Sequence, residues 1–600
     1  MNSKPSAIPA PERLIPAAHR TFGPLSFALL AVGLGVVAGF GAFLLLMLIA
    51  LVHNLIFLGR LSVHYDTSQH TPVGPWGSAV VLGPVVGALA VVFLVKNFAP
   101  EAKGHGVPEV MDAIYYGKSV IRPVVGAIKS VASAISIGSG GSVGREGPIV
   151  QIGAAFASWL GGFAGVSRWQ RATLVAAGGG AGIAATFNTP IGGVLFAVEV
   201  LMHEVSVRTL VPVALSTATA TYVGQRLFGN EPAFHVPPIH ALTSAAVLPA
   251  YVVLGGLMAF VAVAFIRTLY ATEDLFERTI PRHDYLRHAA GMLGIGVLIE
   301  VVMKLRGHYY VEGVGYATIA DILEGNLTSV GFLLALCVLK LAMTSVTLGS
   351  GGSGGIFSPC LFMGATLGGA FGLALRALFP GIPFHPAAFA LAGMAGLVAS
   401  TTGAALTAIV MTFEMTLDYS VVLPMTLTVA VAHGLRRMLL PQNIYTMKLA
   451  RRGHYMPEAL QANAHLMHHI AEMKMSTAAT VAPDVPSDSL TDRTAAAPAY
   501  LVLVDGPAIV GVVEREAVAS HAAAPPSHDP LALLARHDFV VVSGDTTFFA
   551  LIGKMNEAHS RLAVVLAAKA HEGGAPSVSG VVTRADVAEA LVEGMDIFAD

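Results

Sequence analysis

Between Pro24 and Gly59 the chain places no Asp, Glu, Lys or Arg. As one helix, at 1.5 Å per residue, such a run reaches roughly 50 Å. That exceeds the roughly 30 Å hydrocarbon core of a bilayer, so a strongly tilted membrane helix is expected. Apolar segments continue to about Leu440, many of them short and interrupted by Gly or Pro. Broken half-helices survive in a bilayer only where protein or a watery cavity covers them. In transporters such breaks mark the pathway. Past Arg451-Arg452 the pattern changes. Residues 453–475 are polar and carry His465, His468 and His469, which reads as a solvated linker. From about Ser476, strand-like runs (Tyr500–Val504, Arg561–Val565) alternate with segments of helical composition (Ala550–Ala558, Ala585–Val592). Four parts follow: an N-terminal segment 1–22, a membrane region 23–450, a linker 451–475 and a soluble α/β region 476–600.

Composition narrows the class. Hydrophobic residues make up 54% and charged residues 12%, against about 25% charged in an average soluble domain. Disorder, fibrous structure and an ordinary soluble enzyme are excluded, and a polytopic membrane protein remains. The formal charge of −2 gives no basic field to recruit nucleic acid. Cys337 and Cys360 lie in apolar segments and make neither a disulfide framework nor a good metal site. Lys4, Arg13 and Arg20 precede the first span without the pattern of a signal peptide, which favours a cytoplasmic N-terminus.

The chain repeats itself. Gly138-Ser-Gly-Gly-Ser-Val-Gly144 recurs as Gly349-Ser-Gly-Gly-Ser-Gly-Gly355, offset by 211. Pro148 and Pro359 keep the offset, as do Gly153-Ala154 with Gly364-Ala365 and Lys129 with Lys340. Ala181-Gly182 and Ala395-Gly396 each read as opening an apolar helix that ends at Glu199 or Glu414. Two homologous halves, about 24–230 and 245–445, are expected, inverted as is usual in transporters. The tail repeats too: Val510-Gly-Val-Val513 returns as Ser579-Gly-Val-Val582, suggesting two small α/β modules.

A Gly/Ser run before an apolar helix leaves backbone N–H groups free at the helix start, where the macrodipole adds about half a positive charge. Two such ends aimed at the bilayer midplane make an anion site without a fixed cation. Lys129 and Lys340, with Arg145, would add positive potential; the alternative for the lysines is snorkelling. Gly144-Arg-Glu-Gly-Pro148 departs from Gly355-Ile-Phe-Ser-Pro359 by carrying Glu146 at the helix start. A carboxylate there competes with the anion when ionised and leaves the site free when protonated or displaced, so Glu146 reads as a gate.

These residues resemble the CLC family of chloride channels and proton-coupled chloride transporters. The likeness spans about 24–450, and the tail is similar to the tandem CBS modules many members carry. Gly104-His-Gly-Val-Pro108 resembles the family's first anion motif, Gly144-Arg-Glu-Gly-Pro148 its second and Gly355-Ile-Phe-Ser-Pro359 its third. The resemblance implies an all-α polytopic fold of broken, tilted helices followed by a small α/β CBS pair. It also implies a homodimer in the cell membrane (the inner membrane in a bacterium), with both termini cytoplasmic. The anion, chloride or a similar small ion, would be held by the backbone N–H groups of Ile356 and Phe357 and the hydroxyl of Tyr445. His105 and Gly106 of the first motif would line the same site, and Glu146 would be the external gate.

Two departures stand out. The family usually places Ser where His105 stands, and an imidazole N–H can donate to an anion instead. Proton-coupled members place two glutamates where this chain has Glu199-Val200. Val200 cannot relay a proton, which favours passive, channel-like conduction. The alternative is a chloride/proton antiporter using Glu199 and His203, expected on one helix face, as a substitute relay. In the tail, Gly580-Val-Val-Thr-Arg-Ala-Asp586 resembles the CBS ribose and phosphate motif, with Thr583 and Asp586 at the ligand positions. The first copy has Glu514 and Ala517 there, so at most one adenine-nucleotide site is implied, with no required cofactor. A CBS-regulated membrane enzyme is the rival class. Its metal motif is incomplete, because His203-Glu204 is followed by Val207.

Overall fold

The structure, a computed structural model, describes residues 21–234, 236–237, 245–454, 456, 469–472, 475–487, 498–522, 529–567 and 576–589. His465 and His468 of the linker lie outside them. The chain divides into two compact units, Met1–Met447 and Lys448–Asp600.

The first unit is two sets of eight helices in one order. The first set comprises α1 Pro24–Leu58, α2 Gly83–Phe98, α3 Val107–Tyr115, α4 Pro123–Gly138, α5 Glu146–Ala164, α6 Arg168–Phe187, α7 Pro190–Phe196 and α8 Val207–Phe228. Its counterparts are α9 Leu248–Thr279, α10 Asp284–Arg306, α11 Tyr316–Glu324, α12 Val330–Ser350, α13 Phe357–Leu378, α14 Pro386–Thr402, α15 Ala405–Thr416 and α16 Val422–Leu439. A short α17, Ile444–Ala450, follows. Six helical stretches among the described residues are long and apolar enough to cross a membrane, α1 the first of them. α1 fulfils the charge-free run: Pro24 starts it, and Gly59 ends it at a φ of 65°.

Packing repeats with the sequence. α5 lies on α6 as α13 lies on α14, and α1 lies on α8 as α9 lies on α16. Equivalent helices also meet each other, α2 with α10, α5 with α13 and α7 with α15. That is the twofold relation expected of inverted repeats. The apolar helix read as running from Ala181 to Glu199 is two helices, and so is its mate from Ala395 to Glu414. Asn188 (φ 58°) and Gly403 (φ 83°) take the left-handed conformation and stop α6 and α14, after which α7 and α15 begin.

The second unit holds two three-stranded sheets. In the first, β1 Ala478–Val481 pairs parallel with β2 Tyr500–Asp505, which pairs antiparallel with β3 Ala508–Glu514. α18, Arg515–Ala522, follows. In the second, β4 Phe539–Ser543 pairs parallel with β5 Leu562–Leu566, which pairs antiparallel with β6 Val578–Thr583. α19, Phe548–Glu557, connects β4 to β5. The repeated Gly-Val-Val segments are β3 and β6 themselves, and both feed a helical turn. Val502 and Val512 pack against Leu562, Val564 and Val581, which joins the two sheets in one apolar core.

Candidate anion site

The two glycine runs cross at the middle of the first unit and hold each other by backbone bonds. Gly144 N donates to Gly355 O at 2.8 Å, and Gly355 N returns the bond to Gly144 O at 2.6 Å. The runs turn identically. Gly141 N donates to Ser136 O and Gly352 N to Thr347 O, each at 2.9 Å and each pair 211 residues from its mate. Gly104 joins them, donating to Gly352 O at 3.0 Å and accepting from Gly354 N at 3.2 Å.

This crossing brings the starts of α3, α5 and α13 together. A Cβ at Gly147 would lie 1.8 Å from His105 O, and one at Gly355 would lie 2.8 Å from Gly147 N. Side chains are excluded, so backbone can approach backbone, and first-turn N–H groups without intrahelical acceptors face a shared space. Gly106 needs its glycine twice over, with a φ of 84° and Gly147 O 2.8 Å from where a Cβ would stand.

Every residue assigned from sequence to the pore except the proton relay converges here. Ile356 is the residue before α13 and Phe357 its first. His105 and Tyr445 are buried with ring centroids 6.1 Å apart. Asn443 fixes Tyr445 at the start of α17, because its Oδ1 accepts from Tyr445 N and Thr446 N, both at 2.9 Å. Glu146 is 2% exposed. Its Oε1 accepts from Ser358 Oγ and, at 3.4 Å, from Tyr316 OH, and these two hydroxyls are 2.8 Å apart. Its Oε2 has no hydrogen-bond donor among the described residues. It lies 2.0 Å from a Cβ position on Gly144 and 2.8 Å from one on Gly355. The carboxylate therefore sits in the glycine cradle. Arg145 stacks its guanidinium over Tyr316 (5.2 Å) and Phe187 (5.6 Å).

Ser358 and Tyr316 were not singled out from sequence. Ser358 stands inside the third motif. Tyr316 follows Gly313-Val-Gly315, which repeats Gly104-His-Gly106 at an offset of 209. That offset is two residues out of register with the 211 repeat. The lysines reveal the same pairing. Lys129 Nζ donates to Ala102 O (3.0 Å) and Gly104 O (2.6 Å), and Lys340 Nζ to Val311 O (3.2 Å) and Gly313 O (2.7 Å). Both are fully buried and neither snorkels. Each ties down the loop that leads into α3 or α11.

The relay residues lie apart. The helix carrying Glu199 continues past Phe196 as a π turn, Ala197–Met202, and His203 leaves it at a φ of 49°. The expected shared face of 199 and 203 is corrected by that unwinding. His203 stands beside the Tyr115 ring (6.4 Å), and Val200 is buried. Glu199 caps α15, with Oε1 accepting from Leu406 N (3.1 Å) and Oε2 from Thr407 N (2.8 Å) and Thr407 Oγ1 (2.7 Å). Its repeat mate Glu414 caps α7, accepting from Ile191 N (3.0 Å) and Gly192 N (2.7 Å). Each repeat thus closes the helix start of the other. Glu199→Ala is expected to cost roughly 1.5–3 kcal/mol, the loss of charge-assisted bonds to Thr407 and to the exposed Leu406 N. Glu199→Gln, which keeps one acceptor, is expected to cost less. Thermal unfolding of the detergent-solubilised protein checks this, and an unchanged midpoint for Glu199→Ala would sink it.

In the tail, Thr583 and Asp586 bond each other. Asp586 Oδ2 accepts from Thr583 N (2.8 Å), and Thr583 Oγ1 accepts from Asp586 N (3.1 Å), a reciprocal helix cap. Glu514 is taken by Arg536 Nη1 at 2.8 Å. Arg536 also bonds both oxygens of Asp538 and holds that carboxyl below the usual carboxylate range.

Comparison with known proteins agrees with this architecture. The voltage gated chloride channel family matches residues 87–437, and the CBS domain family matches 532–593. The chain belongs to the voltage gated chloride channel (CLC) family. It is 32% identical over 443 residues to the H(+)/Cl(-) exchange transporter ClcA of Vibrio parahaemolyticus, covering 71% of this chain and 90% of that one. A crystal structure of a slow cyanobacterial Cl-/H+ antiporter superposes at a TM-score of 0.62 with 26% identity, over 72% of this chain and 99% of its own. A eukaryotic CLC transporter shares the fold at a TM-score of 0.60 and 19% identity, over 94% of this chain and 98% of its own. The protein is thus a CLC-type chloride transport protein of many membrane-spanning helices, with a C-terminal CBS region, from a family of transporters and channels.

Proposed function

We propose that this CLC protein conducts chloride through the glycine cradle under the control of Glu146, without a fixed proton stoichiometry. The observation that carries this is the fate of the inner proton position: Val200 is buried there, and the neighbouring carboxylate, Glu199, is consumed in capping α15. A proton relay needs a group that can gain and lose a proton in place. Valine has none, and Glu199 already accepts from two backbone N–H groups and the Thr407 hydroxyl.

The gate follows from competition. Ionised Glu146 fills the space between Gly144 and Gly355, where the helix N-termini favour negative charge. Protonated, it no longer gains from that field, and chloride replaces it. The N–H groups of Ile356 and Phe357, the Tyr445 hydroxyl and the His105 imidazole then bind the ion. The buried charges of Lys129, Lys340 and Arg145 raise the potential around it. Two copies form the working unit, with both termini in the cytoplasm. An adenine nucleotide is the ligand proposed for the CBS region; Thr583 and Asp586 would meet it through groups their mutual cap leaves over.

The second reading, chloride/proton antiport, is favoured by the exchange activity named for the Vibrio relative and the cyanobacterial neighbour. One experiment separates the two. In liposomes recorded for chloride and pH together, an imposed chloride gradient is expected to move chloride with no uphill proton movement. A constant proton-to-chloride ratio would establish antiport instead.

A further inference from the structure

At the far end of α1 from Pro24, a second ionisable pair lies buried above the gate. His53 Nε2 is 3.6 Å from Glu312 Oε1, and Thr71 bridges them. Thr71 Oγ1 donates to Glu312 Oε1 and lies 3.0 Å from His53 Nε2. Both His53 and Glu312 are buried, at 4% and 9% exposure. These bonds fix the imidazole. The single hydroxyl proton of Thr71 goes to the carboxylate, so its oxygen can only accept from His53, which puts a proton on Nε2. Nδ1 is then the nitrogen at which a second proton binds and leaves. His53 Nδ1, Glu312 Oε2 and Arg145 Nε are all buried and have no hydrogen-bond partner among the described residues.

These groups share a cavity of about 20 Å³, lined by His53, Tyr65, Thr67, Arg145 and Glu312 among others. Such a space holds one water when polar groups line it. Arg145 connects the cavity to the gate. It immediately precedes Glu146, and it stacks on Tyr316, whose hydroxyl bonds Glu146. The elements packed around the pair present Glu312 as the anion, Arg145 and Lys340 as the cations and Tyr65 as the phenol, with Lys340 Nζ bonded to the carbonyls of Val311 and Gly313 on either side of Glu312. The Tyr65 ring is stacked 3.9 Å from the imidazole.

We infer that His53 and Glu312 form a proton-loading station that supplies Glu146 from the side of the membrane opposite the start of α1. Imidazole is the side chain that exchanges protons near neutral pH. A proton taken from solvent binds His53 Nδ1 beside ionised Glu312. It passes to the cavity water and on past Arg145 to Glu146, which does not itself line the cavity. His53 returns to its neutral form with Nε2 still protonated, and the pair regains its starting charge. This inference rests on Glu146 being the gate, and its test keeps the two separable.

The test uses full-length protein reconstituted in liposomes. Chloride flux is followed after a step of external pH from neutral to acid, each variant scaled to its own flux at the acid limit. His53→Gln and Glu312→Gln are each expected to slow the onset of flux roughly 10-fold or more. The two variants read the same pair, so either suffices if the other fails to fold. In the Glu146→Gln background neither substitution should alter the response to pH. Wild-type onset in both variants would overturn the station while leaving the gate standing. An altered pH response in either variant that persists in the Glu146→Gln background would overturn the link between them. A Glu146→Gln protein with the pair intact and an unchanged pH response would bring down the gate reading itself.

Discussion

Glu146→Gln is expected to leave chloride flux running and to flatten its dependence on pH. In the wild type, flux should rise as pH falls, a slope set by the ionised carboxylate's competition with the anion for the cradle. The amide cannot ionise, so that slope disappears. Flux persists because the groups proposed to hold the ion are untouched: the N–H groups of α13, the backbone of Gly104 to Gly106 and the Tyr445 hydroxyl. Ser358 and Tyr316 remain as partners for the amide oxygen, so the fold around position 146 should hold. Chloride efflux from liposomes over a range of pH measures this. A Glu146→Gln protein with the wild-type slope would place the gate elsewhere.

Gly147→Ala is expected to abolish flux and cost roughly 3 kcal/mol or more, as overpacking a rigid backbone contact does. The added carbon would stand 1.8 Å from His105 O and 3.2 Å from Gly355 Cα, and no flexible side-chain end can give way. The loop at 104–106 must then withdraw from the start of α5. That pulls apart the three helix starts on which an anion depends. Gly256→Ala is the control, because nothing lies within 4 Å of its Cβ position. In α9 that change should be neutral or stabilising by about 1 kcal/mol. Equal yields of folded, active protein from the two variants would show that the close approach at Gly147 is unnecessary.

His105 shows how far a motif carries. Its place in Gly104-His-Gly106 put it near an anion, and the structure sets its ring 6.1 Å from that of Tyr445, more than 300 residues away in the chain. Glu199 shows the opposite case. The family resemblance made it a candidate proton carrier, and only the structure shows that its carboxylate is bound across the repeat to α15.

What the sequence determined by itself was everything that depends on local pattern or self-similarity. The charge-free run fixed α1, the Gly/Ser runs fixed two helix starts, and the 211-residue offset fixed two halves. Carboxylate chemistry singled out Glu146, because a negative group at a helix N-terminus meets the same field an anion would. Only the tertiary structure decided which groups answer each other across the halves. Ser358 and Tyr316 reach Glu146 because the starts of α11 and α13 of the second half meet the start of α5 of the first. Glu199 and Glu414 exchange helix starts because equivalent helices meet about a twofold axis. His53 finds Glu312 because α1 ends beside a loop from the other repeat. Such partners are set by how helices cross in space, and sequence spacing carries no information on crossings. A buried polar group must find its partner wherever the packing brings one, since leaving it unpaired costs about 1–3 kcal/mol.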